Sequence, residues 1–143
     1  MKMIVGVDGS IPARHAVEWC AKHGGTLGAE VVVVHAFEAP SYDSAAMRHY
    51  FPIPLFTEKD RARLLEHVRR DWCSPLEAAS VPYRVEVREG RPTEVILKTA
   101  AAEAADLVVV GRRGLGNVAE RLLGSTSNQL AHHLDRPLVI IPN

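Results

Sequence analysis

The chain has 143 residues, with 17 Lys and Arg offsetting 17 Asp and Glu, and 47% of its residues are hydrophobic. A formal charge of zero supplies no general attraction to phosphate backbones or anionic bilayers, which argues against bulk nucleic-acid or membrane binding. The length suits one domain, 1–143, burying roughly 70% of the surface an extended chain exposes, and its longest apolar runs fall far short of the ~20 residues that span a bilayer.

The opening MKMIVGVDGS carries one Lys and an apolar run that stops at Asp8, unlike a secretory signal. Met3-Ile4-Val5-Gly6-Val7 reads as a strand covered on both faces. Ser10 is placed to cap a helix whose first turn holds Pro12, where a missing N–H costs nothing. Ala13, Ala16, Val17, Cys20 and Ala21 then follow the spacing of one helical face, and His23-Gly24-Gly25 closes it. Val31 to Val34 is a second buried strand. Glu38 to Phe56 contains Pro40, Pro52 and Pro54 with Tyr42, Tyr50, Phe51 and Phe56; it is long for a structureless loop and reads as a functional lid or a partner surface.

From Thr57 a second helix carries Leu64, Leu65, Val68 and Trp72 on one stripe, and Ser74-Pro75 must break or kink it. Tyr83 to Arg88 alternates strictly, as suits an edge strand. Pro92 opens a helix with Val95, Ile96, Thr99 and Ala100 facing inward. Leu107 to Val110 is a further buried strand, Gly124-Ser125 starts a last helix with Ser127, Leu130, Ala131 and Leu134 inward, and Leu138 to Ile141 ends the pattern.

Strands that alternate with helices imply an α/β fold with parallel strands and right-handed crossovers. Cys20 and Cys73 form no CxxC pair and sit in helical patterns as buried free thiols, in keeping with a cytoplasmic domain. The wholly apolar last strand is a problem if it lies at an edge, because exposed edges pair with other chains. Self-association through Leu138–Ile141 as a symmetric homodimer would cover it; an internal position would remove the problem.

In an open parallel sheet, ligands bind beyond the C-terminal ends of the strands where the winding reverses. Two loops there carry suitable chemistry: Val7-Asp8-Gly9-Ser10, and Gly111-Arg112-Arg113-Gly114 followed by Gly124-Ser125-Thr126-Ser127. Glycines at 111 and 114 permit tight turns and close approach to a ligand. The Gly124 segment offers N–H groups and hydroxyls at a helix start, a natural anion site, and Arg112 and Arg113 add charge for a polyphosphate. Neither GxxxxGK[ST] nor GxGxxG after the first strand is present, and a glycine-rich turn with an ordinary Ser cap would account for the same residues.

The spacing Gly111-x2-Gly114-x9-Gly124-Ser125 resembles the G-x2-G-x9-G-[ST] signature of the ATP-binding branch of the universal stress proteins. Ile4 to Ser10, Val34-His35-Ala36 and Arg136 to Pro142 extend the likeness over nearly the whole chain. The resemblance implies a Rossmann-like three-layer sandwich with a five-stranded parallel sheet of order 3-2-1-4-5, and dimers that pair fifth strands. It implies that Gly111, Gly114, Gly124 and Ser125 hold phosphates and ribose with Thr126 and Ser127 behind them. It places Asp8 beside the phosphates and Mg²⁺, the Ala36 backbone N–H and C=O against the adenine edge, and Val7 and Val110 around base and ribose. Asp8 beside Ser10 also suits a turn or cap without metal.

The histidines do not assemble a metal or catalytic set. His132-His133 point in different directions on a helix, His35 ends a buried strand, and His15 and Trp19 share a helix face by packing. The expectation is a regulatory protein that binds ATP with Mg²⁺ and alters the surface shown to an unknown protein partner. A slow ATPase or phosphotransfer enzyme, a cyclic AMP sensor, and a dimeric interaction module with an empty site are the alternatives.

Overall fold

The chain's architecture was obtained as a computed structural model, which describes residues 1–38, 56–115 and 123–142. Strand β1 (Lys2–Val7) occupies the middle of the sheet. Successive side chains on a strand point to opposite faces, so the complete burial of Met3, Ile4 and Val5 requires cover on both sides. Helix α1 (Ile11–Gly24) starts where Ser10 Oγ accepts the Ala13 N–H at 3.3 Å, with Pro12 in the first turn. It buries Ala13, Ala16, Val17 and Cys20 and leaves Ala21 half-buried.

Strand β2 (Glu30–Phe37) follows, and helix α2 (Glu58–Trp72) begins with a reciprocal cap between Thr57 and Asp60. Phe56, just before that cap, stacks on Phe37 with ring centroids 4.2 Å apart, fixing the start of α2 against the end of β2. The apolar stripe of α2 is narrower than its sequence implies. Val68 is buried and Leu64 and Trp72 pack against the core, but Leu65 is exposed. The three contacting residues are spaced by four, and Leu65 lies one residue, about 100°, off that line. The helix stops at Trp72 and a short helix α3 (Ser74–Ala78) restarts with Pro75 in its first turn.

Strand β3 (Tyr83–Glu89), helix α4 (Pro92–Ala102), strand β4 (Leu107–Gly111), helix α5 (Ser125–His133) and strand β5 (Leu138–Ile141) complete the order. All four predicted inner residues of α4 are buried. In α5, Ser127 and Leu130 are buried but Ala131 is exposed, and Leu134 falls just past the helix end.

The five strands are parallel in the order β3-β2-β1-β4-β5. One core, under α1, α2 and α3, takes Met3, Val5, Val31, Val33 and Val109; the other, under α4 and α5, takes Ile4, Val32, Val34, Val108 and Val110. Alternate residues of the same strands therefore fill both cores, which is why these segments read as unbroken apolar runs. β3 lies at one edge as its alternation implies, and β5 lies at the other, so the internal position considered for β5 is overturned. The backbone sets which groups of β5 face outward. The Pro137 and Ile141 carbonyls accept from Val108 and Arg112 on the β4 side, so the N–H and C=O of Leu138 and Ile140 face the open edge.

The 38–56 loop reading rests almost wholly on residues outside the described ones, with Tyr42, Tyr50 and Phe51 among them; the turn between Asn117 and Gly124 lies largely outside them too. No helix among the described residues is long and apolar enough to cross a membrane.

Candidate functional site

A cavity of about 340 Å³ opens beyond the C-terminal ends of β1, β2 and β4. The chain leaves β1 toward β2 on one side and later enters β4 on the other, so the sheet's winding reverses at this point. The volume lies at the lower end of the range for small-molecule sites. Its apolar wall is Val34 and Ala36 from β2, Ile96 from α4 and Val110 from β4, with Val7 at the rim. Gly6 admits Ile96 beneath it, since a Cβ there would meet Ile96 Cδ1 at 2.7 Å.

Ala36 sits where a strand's backbone becomes available. The Phe37 carbonyl accepts from Gly90 N–H on the β3 side, at 2.9 Å. By strand alternation the polar groups of Ala36 turn toward β1, which ends at Val7 opposite His35. Parallel register makes the Val7 carbonyl the partner of the Ala36 N–H and leaves the Ala36 carbonyl past the strand's end. Of the two backbone groups expected to read a base edge, the carbonyl is therefore the available one among the described residues.

Asp8 joins the two loops. Its Oδ1 accepts the Ser10 N–H at 3.0 Å and its Oδ2 accepts the Leu115 N–H at 3.1 Å. The turn role beside Ser10 is thus real, and it accompanies a bond to the second loop. A carboxylate has about four lone-pair sites, so Asp8 retains capacity to ligate one divalent cation. Among the described residues no three His, Cys, Asp or Glu cluster around a metal position. A hard cation held by Asp8 would complete its shell with water and ligand oxygens, as Mg²⁺ commonly does.

The glycines of the motif serve different purposes. None of Gly111, Gly114 and Gly124 has a left-handed φ, so the tight-turn rationale gives way to close approach. At Gly111 a Cβ would meet backbone atoms of Pro12 at 2.5 and 2.7 Å: this glycine lets α1 start against the end of β4. At Gly114 a Cβ would run into the Asp8 carboxylate. At Gly124 it would stand 3.2 Å from the Arg112 carbonyl. Of the three, only Gly114 packs directly against a charged group.

At the start of α5, Gly124 N–H donates to the Arg112 carbonyl at 2.8 Å, and Ser127 Oγ donates to the same carbonyl at 2.8 Å. Ser127 lines the cavity, and its hydroxyl proton is engaged at the Arg112 and Gly124 carbonyls, 2.8 and 3.1 Å away, which leaves its oxygen as an acceptor. No side chain caps α5, so the Ser125 and Thr126 ends of the helix present N–H groups to the cavity, with the partial positive charge of the helix end behind them.

Arg112 stands apart from the rest of the predicted set. It is absent from the cavity lining, whereas Arg113 is present. The Arg112 carbonyl accepts from Gly124 N–H and Ser127 Oγ, and the Nε atoms of Arg112 and Arg113 are both buried without a partner among the described residues. The remaining predicted residues converge on the one cavity. Motif reading missed Ala13, Pro92, Ile96 and Leu123, which also line it. The inward face of the helix opened by Pro92 was the signal for Ile96. His35 is a hydrogen-bonded strand-end histidine, its Nδ1 2.9 Å from the Val7 carbonyl and its ring edge-on to Trp72. Trp19 pairs with His23, centroids 4.6 Å apart.

The sequence profile of the Universal stress protein family matches residues 1–142. A Thermus aquaticus relative, described as a universal stress protein in the QAH/OAS sulfhydrylase 3′ region, is 33% identical over 97% of this chain and 96% of its own length. A Mycolicibacterium smegmatis universal stress protein is 30% identical over 97% of this chain but 47% of its own length, so the chain spans about half of that relative. Among solved structures, the universal stress protein UspA from Lactobacillus plantarum superposes with a TM-score of 0.81 at 19% identity, covering 99% of this chain and 97% of that one. A universal stress protein in complex with cAMP gives 0.74 at 24%, covering 99% and 96%. One from Archaeoglobus fulgidus in complex with dAMP gives 0.69 at 18%, covering 99% and 97%. Profile, relatives and fold agree: this chain belongs to the universal stress protein family.

Proposed function

We propose that the chain binds an adenine nucleotide in the cavity at the ends of β1 and β4, with ATP and Mg²⁺ as the preferred pair. The observation that carries this reading is the convergence of an apolar slot, the strand-end backbone of Ala36, a carboxylate and an uncapped helix start around one opening. The base would lie between Val34, Ala36, Ile96 and Val110. The Ala36 carbonyl is an acceptor, which suits the 6-amino group of adenine and opposes the 6-oxo group of guanine. Phosphates would meet the N–H groups of Ser125 and Thr126 and the Arg113 guanidinium. Asp8 would supply one oxygen to Mg²⁺. Structural relatives solved in complex with cAMP and dAMP support the adenine class.

The role we assign is regulatory. Asp8 ties the β1 loop to the 111–115 loop, so a ligand that competes for its oxygens alters how the two loops are joined. A change in the surface shown to a partner follows if the two arrangements differ in nucleotide affinity. The edge strand β5 would pair with its copy in a homodimer. Calorimetric titration with ATP, GTP and cyclic AMP, each with and without Mg²⁺, tests the site. Tightest binding of Mg·ATP and at least tenfold weaker GTP are expected; equal affinity for GTP refutes the carbonyl's role, and tightest binding of cyclic AMP refutes the ATP preference.

A further inference from the structure

A second cleft, of about 260 Å³, lies on the other side of the Asp8–Ser10 loop, between α1 and α2. Its floor is Val7, Ala13 and Val17, and Trp72 forms one wall. Trp72 is held in place from three directions. Gly9, at φ +81°, lies so close that a Cβ there would be 2.7 Å from Trp72 Cζ2, and the rings of His35 and His67 meet the indole edge-on at 5.2 and 5.4 Å. An apolar cavity of about 150 Å³ is enough to admit benzene. This cleft has room for one or two fused rings.

The polar rim is specific. His67 Nδ1 is 2.7 Å from Asp71 Oδ2, and Arg70 donates to both Asp71 oxygens at 2.7 and 3.1 Å. Arg70 therefore offsets the Asp71 charge from its own helix, and a proton on Nδ1 directed at Asp71 leaves Nε2 as the lone-pair nitrogen of the neutral tautomer. On the opposite rim the one ion pair of Arg14 among the described residues is a loose contact with Glu18, at 3.9 Å, which leaves its guanidinium hydrogen-bonding capacity. The opening thus offers a fixed aromatic wall, one cation and one imidazole acceptor.

We propose that this cleft is a second binding site, for a small planar aromatic acid whose ring bears an N–H or O–H donor. The ring packs on Trp72 over Val17, the carboxylate pairs with Arg14 and the ring donor meets His67 Nε2. Indole-3-carboxylate serves as the probe, with uncharged indole as its control. Nucleotide-free protein is titrated while the side-chain N–H signals of Trp72 and Trp19 are followed by NMR. Saturable movement of the Trp72 signal with Trp19 still, and at least tenfold weaker response to indole, are expected. Arg14→Gln, at an exposed position, should erase the preference for the acid, and His67→Ala should weaken it without changing the fold. The proposal is overturned if the Trp72 signal does not move at several millimolar probe, if Arg14→Gln leaves the preference intact, or if the probe instead shifts Val34 and Ile96 in the first cavity.

Discussion

Gly111 and Gly114 stand three residues apart in one motif, yet alanine at each should produce opposite phenotypes. At Gly114 the backbone φ is ordinary and the residue is exposed, so alanine adds no backbone strain. The added Cβ occupies the position of Asp8 Oδ2, and the carboxylate must move, breaking its 3.1 Å bond from Leu115 N–H. Hydrogen bonds to a charged group contribute about 1.5–3 kcal/mol. A site that relies on that carboxylate's position should lose Mg·ATP affinity by roughly 10- to 140-fold. Stability should change little, because the freed Leu115 N–H is exposed and meets water. At Gly111 the Cβ meets Pro12 backbone at 2.5 Å, which no side-chain rotation relieves. Overpacking of this kind costs about 1–3 kcal/mol, or a Tm lowered by about 2–12 °C in a chain of this size. Calorimetric titration and thermal unfolding of both variants measure the contrast. Unchanged ATP affinity in Gly114→Ala, or a Gly111→Ala protein as stable as the wild type, would refute the division of labour.

Asp8→Asn keeps an oxygen for the Ser10 N–H but loses its charge; it should weaken Mg·ATP binding and strengthen metal-free ATP binding, and weakening of both alike would count against the metal role. Ile140→Pro removes an outward N–H of β5 and no bond to β4, so if the proposed homodimer forms through β5, sedimentation should show a dimeric wild type and a monomeric variant; a variant as dimeric as the wild type would place the interface elsewhere. The Thr57 hydroxyl and N–H hold the Asp60 carboxyl below its usual range. A folded-state pKa below the unfolded one gives stability that is present above the ordinary carboxylate value near 4 and is lost as pH falls through the lowered one. Asp60→Asn should therefore flatten the acid limb of a Tm-against-pH curve, and an unchanged slope would contradict the cap's contribution. Burial pushes the thiols of Cys20 and Cys73 up to about 12, so a thiol reagent at pH 8 should label both only on unfolding; rapid labelling of the native protein would contradict their burial.

The strands were legible because β1, β2 and β4 are covered on both faces, which leaves continuous apolar runs, while β3 keeps one face free and alternates; their order was legible only through the family resemblance. Helix starts were legible where a side chain does the capping, as at Ser10 and Thr57. Contacts made through the sheet were not. The motif spacing brought the glycines to the cavity but gave no sign that Gly111 faces Pro12, or that Ser127 donates to Arg112. Those facts depend on how α1 and α5 approach β4. The choice between Arg112 and Arg113 depended on which way the chain turns on leaving β4. Leu65 and Ala131 read as inward because spacing identifies a face, whereas the width buried depends on the neighbouring element.

The central claim is tested most directly by denaturing freshly purified protein and resolving the released small molecules by anion-exchange chromatography, followed by titration of the emptied protein with Mg·ATP. Release of ATP or ADP near one per chain, or saturable uptake of Mg·ATP by the emptied protein, is the predicted result. A protein that carries no nucleotide and takes up neither ATP nor cyclic AMP at millimolar concentration would contradict it, leaving the glycine motif as scaffold for the ends of β1 and β4.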